Sequence, residues 1–209
     1  MKKNKLYDSI VSSPEFWDER YRNNETGWDI GGPTPVFKEW IDTQLAKKSI
    51  CILGAGNGWD AVYFAKLGHK VTAVDFSFEA IKNIKALASE NNVILTTLEE
   101  DIFNLDNSFS NMFDVVLEYT CFCAIDPDNR NKYISVVNAI LKPDGLFVAL
   151  LFPLLKDYYN SGPPFHVDLN KTIKLFNKYF KIIDKIKPKL SIASRIDKEV
   201  LAIMRKNGK

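Results

Sequence analysis

Three glycines spaced two apart, Gly54, Gly56 and Gly58, follow the apolar run Ile50-Cys51-Ile52-Leu53, and Asp75 lies twenty-one residues beyond the first of them. Glycines at such a bend let a backbone approach a ligand closely. A carboxylate at the next strand end can accept from both hydroxyls of a ribose. Together they describe half of a nucleotide site. A dinucleotide fingerprint places its third glycine five residues after the first, where a helix packs tightly on the strand. Here that position is Trp59, too large for such a contact, and the third glycine falls one place earlier, giving G-x-G-x-G.

These residues need a scaffold, and the hydropathy pattern supplies one. Apolar strand signals cover 49–53, 70–75, 93–98, 112–118 and 146–151, with helical spacing over 59–67, 78–91 and 129–141 between them. Alternation of this kind predicts a parallel sheet covered on both faces. Ser77 is placed to cap the second helix. Leu141-Lys142-Pro143-Asp144-Gly145 reads as a helix stop followed by a turn. After a loop over 153–164, a helix is expected over 168–179, then strands over 182–187 and 199–204. The last two are separated by only about eleven residues, too few for a crossover, so they should pair antiparallel. A seven-stranded, mostly parallel sheet ending in an antiparallel hairpin differs from the all-parallel dinucleotide fold.

The first 48 residues read as a helical preface to a core spanning 49–209. Ser12-Ser13-Pro14-Glu15 fits a capping box with proline early in the helix. Trp17 and Tyr21 lie four apart on that helix and face the same way. Trp28 sits in the loop Thr26-Gly27-Trp28-Asp29-Ile30-Gly31-Gly32-Pro33. The segment reads either as an anchor packed on the sheet or as a lid over the site.

A chain of 209 residues suits one domain. Its 28 basic and 26 acidic residues leave a net charge of +2, with no basic stripe, so neither nucleic acid nor membrane is the expected partner. The longest apolar stretch, 146–155, is too short to span a bilayer. The basic start leads into no hydrophobic segment of a signal peptide. The expectation is a cytoplasmic protein of unspecified oligomeric state acting on a small molecule. Cys51, Cys121 and Cys123 form no disulfide framework. Cys121 and Cys123, two apart in an apolar run, read as buried thiols on one face of an extended segment, and no metal is expected.

Several motifs in order carry a resemblance. They are Phe16-Trp17-Asp18-Glu19-Arg20-Tyr21, Gly27-Trp28-Asp29-Ile30-Gly31, and the glycine loop with Trp59-Asp60. Then come 113–127, ending Tyr119-Thr120-Cys121-Phe122-Cys123-Ala124-Ile125-Asp126-Pro127, then Arg130, 141–145, and Gly162-Pro163-Pro164-Phe165. From about residue 16 to 188 the chain resembles the thiopurine S-methyltransferase superfamily, particularly its thiol, thiocyanate and halide methyltransferase branch. Ile52 stands where many methyltransferases carry an acid, and the resembled branch lacks that acid too.

The resemblance implies a Rossmann-like class I methyltransferase fold with an N-terminal helical lid, and S-adenosyl-L-methionine as cofactor. It implies that Trp17, Tyr21 and Trp28 line the cofactor site, although the branch carries tryptophan where Tyr21 stands. Gly54 and Gly56 would meet the methionine portion and Asp75 the ribose. Asp101 and Ile102 would flank the adenine, and Tyr119, the candidate catalytic residue, would face the sulfonium end. The acceptor implied is a thiol, sulfide, thiopurine or halide. An oxygen or nitrogen acceptor would call for a general base, and no Ser/His/Asp or paired-carboxylate constellation stands out. Glu118 is expected to serve the cofactor amine or a local network. His166 could take a proton from a thiol, although a loop histidine is more often solvated. Pro163-Pro164-Phe165 looks like the amino-group box of nucleic-acid methyltransferases, but glycine precedes it and it follows the fifth strand rather than the fourth.

Overall fold

The computed structural model describes residues 10–44, 46–154 and 162–208. Seven strands form one sheet in the order β3-β2-β1-β4-β5-β7-β6. They are β1 (Ser49–Leu53), β2 (Lys70–Asp75), β3 (Thr96–Glu99), β4 (Phe113–Tyr119), β5 (Leu141–Leu151), β6 (Phe180–Ile186) and β7 (Val200–Lys206). Strands β1 to β5 pair in parallel, and β7 runs antiparallel to both β5 and β6. Chain order reverses direction between β1 and β4. In open α/β sheets a crevice forms beyond the strand ends at that switch.

The strands are buried on both faces, and their alternation builds two cores. Cys51, Leu53, Val116, Phe147 and Ala149 face α5 (Arg130–Ile140) and α6 (Leu169–Phe176) through Ile134, Val137 and Phe176. Ile50, Ile52, Val115, Leu117 and Val148 face the other way. There they meet Phe37 and Ile41 of α2 (Pro35–Asp42), Phe64 of α3 (Trp59–Lys66) and Ile81 and Ile84 of α4 (Phe78–Glu90). Helix α2 is therefore core, not lid: Val36, Phe37, Trp40 and Ile41 are all buried. Of the expected lid segment, only the part before it, with α1 (Pro14–Arg22), lies over the strand ends.

Local differences from the sequence reading have physical causes. Strand β3 begins at Thr96 rather than at residue 93, because Asn92 turns left-handed (φ 54°) and the Val93 N–H closes α4 on the Ala88 carbonyl at 3.1 Å. Strand β5 takes over from α5 at Leu141. Its pairing jumps from Phe113–Leu141 to Val115–Leu146, so residues 142–145 loop out as the expected turn inside a longer strand. Helix α6 ends at Phe176, with Asp168 accepting from the Lys171 N–H at 3.1 Å as its cap. Ser77 caps α4 through the Ala80 N–H at 3.2 Å. The capping box before α1 does not form as read: Ser13 is the N-cap, and its hydroxyl donates to the Glu15 carboxylate instead. Part of the expected loop over 153–164 lies outside the described residues. Among the described residues no helix is long and apolar enough to cross a membrane.

Candidate active site

A cavity of about 660 Å³ opens beyond the carboxyl ends of the strands. Its floor includes Gly54 and Gly56, and at Gly54 the backbone admits no side chain. Gly54 has φ +60°, and a Cβ on it would stand 2.9 Å from Cys121 Cβ and 3.0 Å from Cys121 Sγ. Gly58 does not face the cavity. It starts α3 at φ +84° and lies so close to Ile84 that a Cβ would meet Cγ1 at 2.9 Å. The third glycine thus serves helix packing, the role a dinucleotide loop gives to its own third glycine.

Asp75 ends β2 on the cavity wall, only 9% exposed. It accepts from the Gly56 N–H and the Ser77 N–H, each at 3.0 Å, which ties the loop to the strand end. Burial pushes its carboxyl up to about 6, against the lowering effect of those backbone donors. Asp101 and Ile102 lie on the wall beyond β3, where Asp101 accepts from the Phe103 N–H at 2.9 Å.

The opposite wall is aromatic. Trp17 and Tyr21 of α1 both meet the loop residue Trp28 edge-on, with centroids 5.3 and 5.5 Å apart, and all three line the cavity. No residue of α1 is fully buried, so this helix covers the cavity rather than filling the core. Burial raises the Tyr21 hydroxyl well above its usual range, and the nearby Asp75 charge adds to the effect.

Three carboxylates outside the expected set clamp this segment down. Asp18 accepts from the Ser77 hydroxyl at 2.6 Å and the Glu79 N–H at 3.2 Å, at the N-terminus of α4, where negative charge is favoured. Asp29 accepts from the Trp59 indole at 3.0 Å and from the Asn57 amide. Asp60 accepts from the Thr34 N–H at 2.7 Å and the Thr34 hydroxyl at 2.8 Å. Charge-assisted bonds contribute about 1.5–3 kcal/mol each, and these are part-buried. Asp60→Ala should therefore speed hydrogen exchange at the Thr34 amide by about tenfold or more. Exchange at amides of β1 should stay unchanged, and a uniform increase would mean that Asp60 supports the whole fold instead.

Tyr119 is not on the cavity wall. Alternation along β4 puts it on the face of Leu117, where its ring packs edge-on against Phe37 at 6.1 Å. Its hydroxyl donates to Glu199 at 2.9 Å. What reaches the cavity from this side is Arg195, a residue the sequence reading did not single out. It is 5% exposed, with its guanidinium 4.9 Å from the Tyr119 ring centroid and 4.8 Å from that of Phe152. Its Nη2 donates to the Trp28 carbonyl at 2.7 Å, while Nη1 is buried with no hydrogen-bond partner among the described residues.

The chain from Thr120 to Ile125 is a turn rather than the extended segment expected. Thr120 has φ +63°, and the Glu118 carboxylate accepts from the Phe122 N–H at 2.8 Å. Cys121 and Cys123 are free thiols on the cavity wall. Glu118 itself is buried behind them, its carboxyl pushed up to about 7 mainly by burial. Pro163 and Pro164 line the cavity, while His166 does not. The His166 carbonyl accepts from Arg130 at 3.1 Å. No group of three or more metal-ligating side chains occurs among the described residues.

The family model for thiopurine S-methyltransferase matches residues 12–201. The chain belongs to the thiopurine S-methyltransferase family. As a member it is an S-adenosylmethionine-dependent methyltransferase. It is 29% identical to a probable thiol methyltransferase 2 of Arabidopsis thaliana, over 97% of this chain and 91% of that protein. It is 28% identical to thiocyanate methyltransferase 1 of Brassica oleracea, over 91% of this chain and 84% of that one. Among solved structures it shares its fold with the 1,6-didemethyltoxoflavin-N1-methyltransferase of Burkholderia thailandensis. There the TM-score is 0.75 and the identity 20%, over 100% of this chain and 92% of that one. In this family member the lid clamps join residues far apart in sequence, so Arg195 gave no local signal, and what the carboxylates hold could not be read locally. Asp18, Asp29 and Asp60 each follow a tryptophan inside the motifs quoted above.

Proposed function

We propose that the protein moves a methyl group from S-adenosyl-L-methionine to a small acceptor carrying a soft nucleophilic atom: a thiol, bisulfide, a thiopurine or a halide. When bound, S-adenosyl-L-methionine supplies an electrophilic methyl group on a positively charged sulfur. The residues present suit it. The volume is in the range of cofactor pockets, and Gly54 and Gly56 line it without side chains of their own. Asp75 offers a carboxylate for ribose hydroxyls, Asp101 and Ile102 flank the adenine, and Trp17, Tyr21 and Trp28 supply aromatic rings whose faces attract a sulfonium.

The observation that carries the acceptor assignment is the unpartnered Nη1 of Arg195. Arg195 borders the cavity, and a buried guanidinium with one N–H unused favours an anion beside it. Thiolate, bisulfide and halide are such anions. The names of the Arabidopsis and Brassica relatives point to the same class. Arg195 holds the acceptor, its charge favours the thiolate over the thiol, and the lid excludes water. Tyr119 is recast from a catalytic residue to one that positions Arg195, through its ring and the Glu199 bond. Alignment within roughly 3 Å of the methyl carbon then suffices, with no dedicated base.

A panel assay with labelled S-adenosylmethionine tests this. Thiols, bisulfide, a thiopurine and iodide should accept methyl, and phenols and amines should not. A thiol with pKa near 8.5 should react faster as pH rises toward that value, whereas iodide should show no such rise. Methylation of phenols or amines alone would sink the acceptor class and leave the cofactor reading standing.

A further inference from the structure

Among the described residues the cavity wall carries three cationic side chains, Arg20, Lys132 and Arg195. They serve different ends. The Lys132 ammonium lies 4.9 Å from the centroid of Phe103, beside Asp101 and Ile102 on the adenine side. Arg195 lies between Phe152 and Tyr119 on the acceptor side. Arg20 projects from α1 next to Tyr21, whose hydroxyl comes within 3.4 Å of where a Cβ on Gly56 would sit. Asp18, two residues earlier, fixes that helix to the start of α4. Arg20 thus lines the cavity from the helix that brings Tyr21 over the glycine loop.

The Arg20 guanidinium lies 3.6 Å from the Phe16 ring centroid, stacked and so held in orientation. Among the described residues its one hydrogen bond, from Nη1 to the Phe16 carbonyl, is long at 3.5 Å. Among the described residues it makes no ion pair. A planar fork of donors, pre-oriented by stacking and left without a carboxylate, matches a ligand carboxylate in two-pronged fashion. Resting on the cofactor reading above, we propose that Arg20 binds the α-carboxylate of the methionine tail, a binding residue in addition to those already assigned.

Calorimetry on the full chain separates this role from a structural one by using two ligands. S-adenosylhomocysteine carries the amino-acid tail, and 5′-methylthioadenosine shares its adenosine and thioether but lacks the tail. Arg20→Gln should weaken S-adenosylhomocysteine by about ten- to a hundredfold and leave 5′-methylthioadenosine within about twofold. Arg20→Lys should fall between, keeping the charge and losing the fork. Equal weakening of both ligands would overturn the assignment, because it would mark a general disturbance of the lid. Unchanged S-adenosylhomocysteine affinity would overturn it as well. So would a tail-specific loss in Arg195→Gln instead, which would move the carboxylate to the other arginine. Wild-type protein that binds neither ligand would refute the cofactor reading itself, and this inference with it.

Discussion

Asp75→Ala should weaken S-adenosylhomocysteine binding by about tenfold or more, measured by calorimetry at neutral pH. Two losses combine in this variant. Ribose hydroxyls would no longer meet a carboxylate, and charge-assisted bonds of that kind contribute about 1.5–3 kcal/mol. The Gly56 and Ser77 N–H groups, both now held at 3.0 Å, would also lose their acceptor, which loosens the glycine loop. Asp75→Asn keeps an acceptor for one donor and should lose less. Unchanged affinity in both variants would remove Asp75 from the cofactor site.

The same carboxylate sets a pH dependence. Its pKa is held near 6 by burial, and hydroxyl donors favour the ionised form. Affinity should therefore be level above about pH 7 and fall as pH drops through 6, by up to about tenfold per unit. The dependence should vanish in Asp75→Asn. In folding the sign is opposite: a carboxyl whose folded pKa is raised contributes stability at low pH that is lost as pH rises through 6.

Arg195→Gln should cut kcat/KM for anionic acceptors by about ten- to a hundredfold while leaving S-adenosylhomocysteine affinity within a few-fold. Glutamine ends two bonds short of the guanidinium nitrogens, so the Trp28 bond goes with the charge and the cofactor affinity reads how far the lid depends on it. The loss should be larger for iodide and bisulfide than for a neutral thiopurine, because only the former depend on the full positive charge. Arg195→Lys should recover part of the activity with iodide. A variant that loses cofactor affinity and acceptor rate together would place Arg195 in the lid rather than at the acceptor.

Much of this was legible in the chain because it is local. Strands β1 and β2 are continuous apolar runs closed by glycine and aspartate, and their ends fall where the runs end. Gly54 and Asp75 announce themselves by type and spacing, whereas Trp17 and Trp28 were assigned to the site only through the family resemblance. Strand β3 was not legible in detail, since Asn92 diverts the Val93 N–H to the helix end. Tyr119 was misplaced although its parity with Leu117 already assigns it to the α2 face. A residue at a strand end reaches the crevice only when its side of the pleat does. Arg195 was invisible for a different reason. Its bond to Trp28 spans 167 residues, and its burial is known only once β5, β7 and the lid are assembled around it.

A crystal grown with S-adenosylhomocysteine and iodide, and read by iodide anomalous scattering, tests the central claim most directly. The expected result is one strong iodide peak within hydrogen-bonding reach of Arg195 Nη1, in line with the thioether sulfur and beneath the Trp17, Tyr21 and Trp28 rings. An iodide peak absent from Nη1, or a thioether sulfur turned away from Arg195, would contradict it.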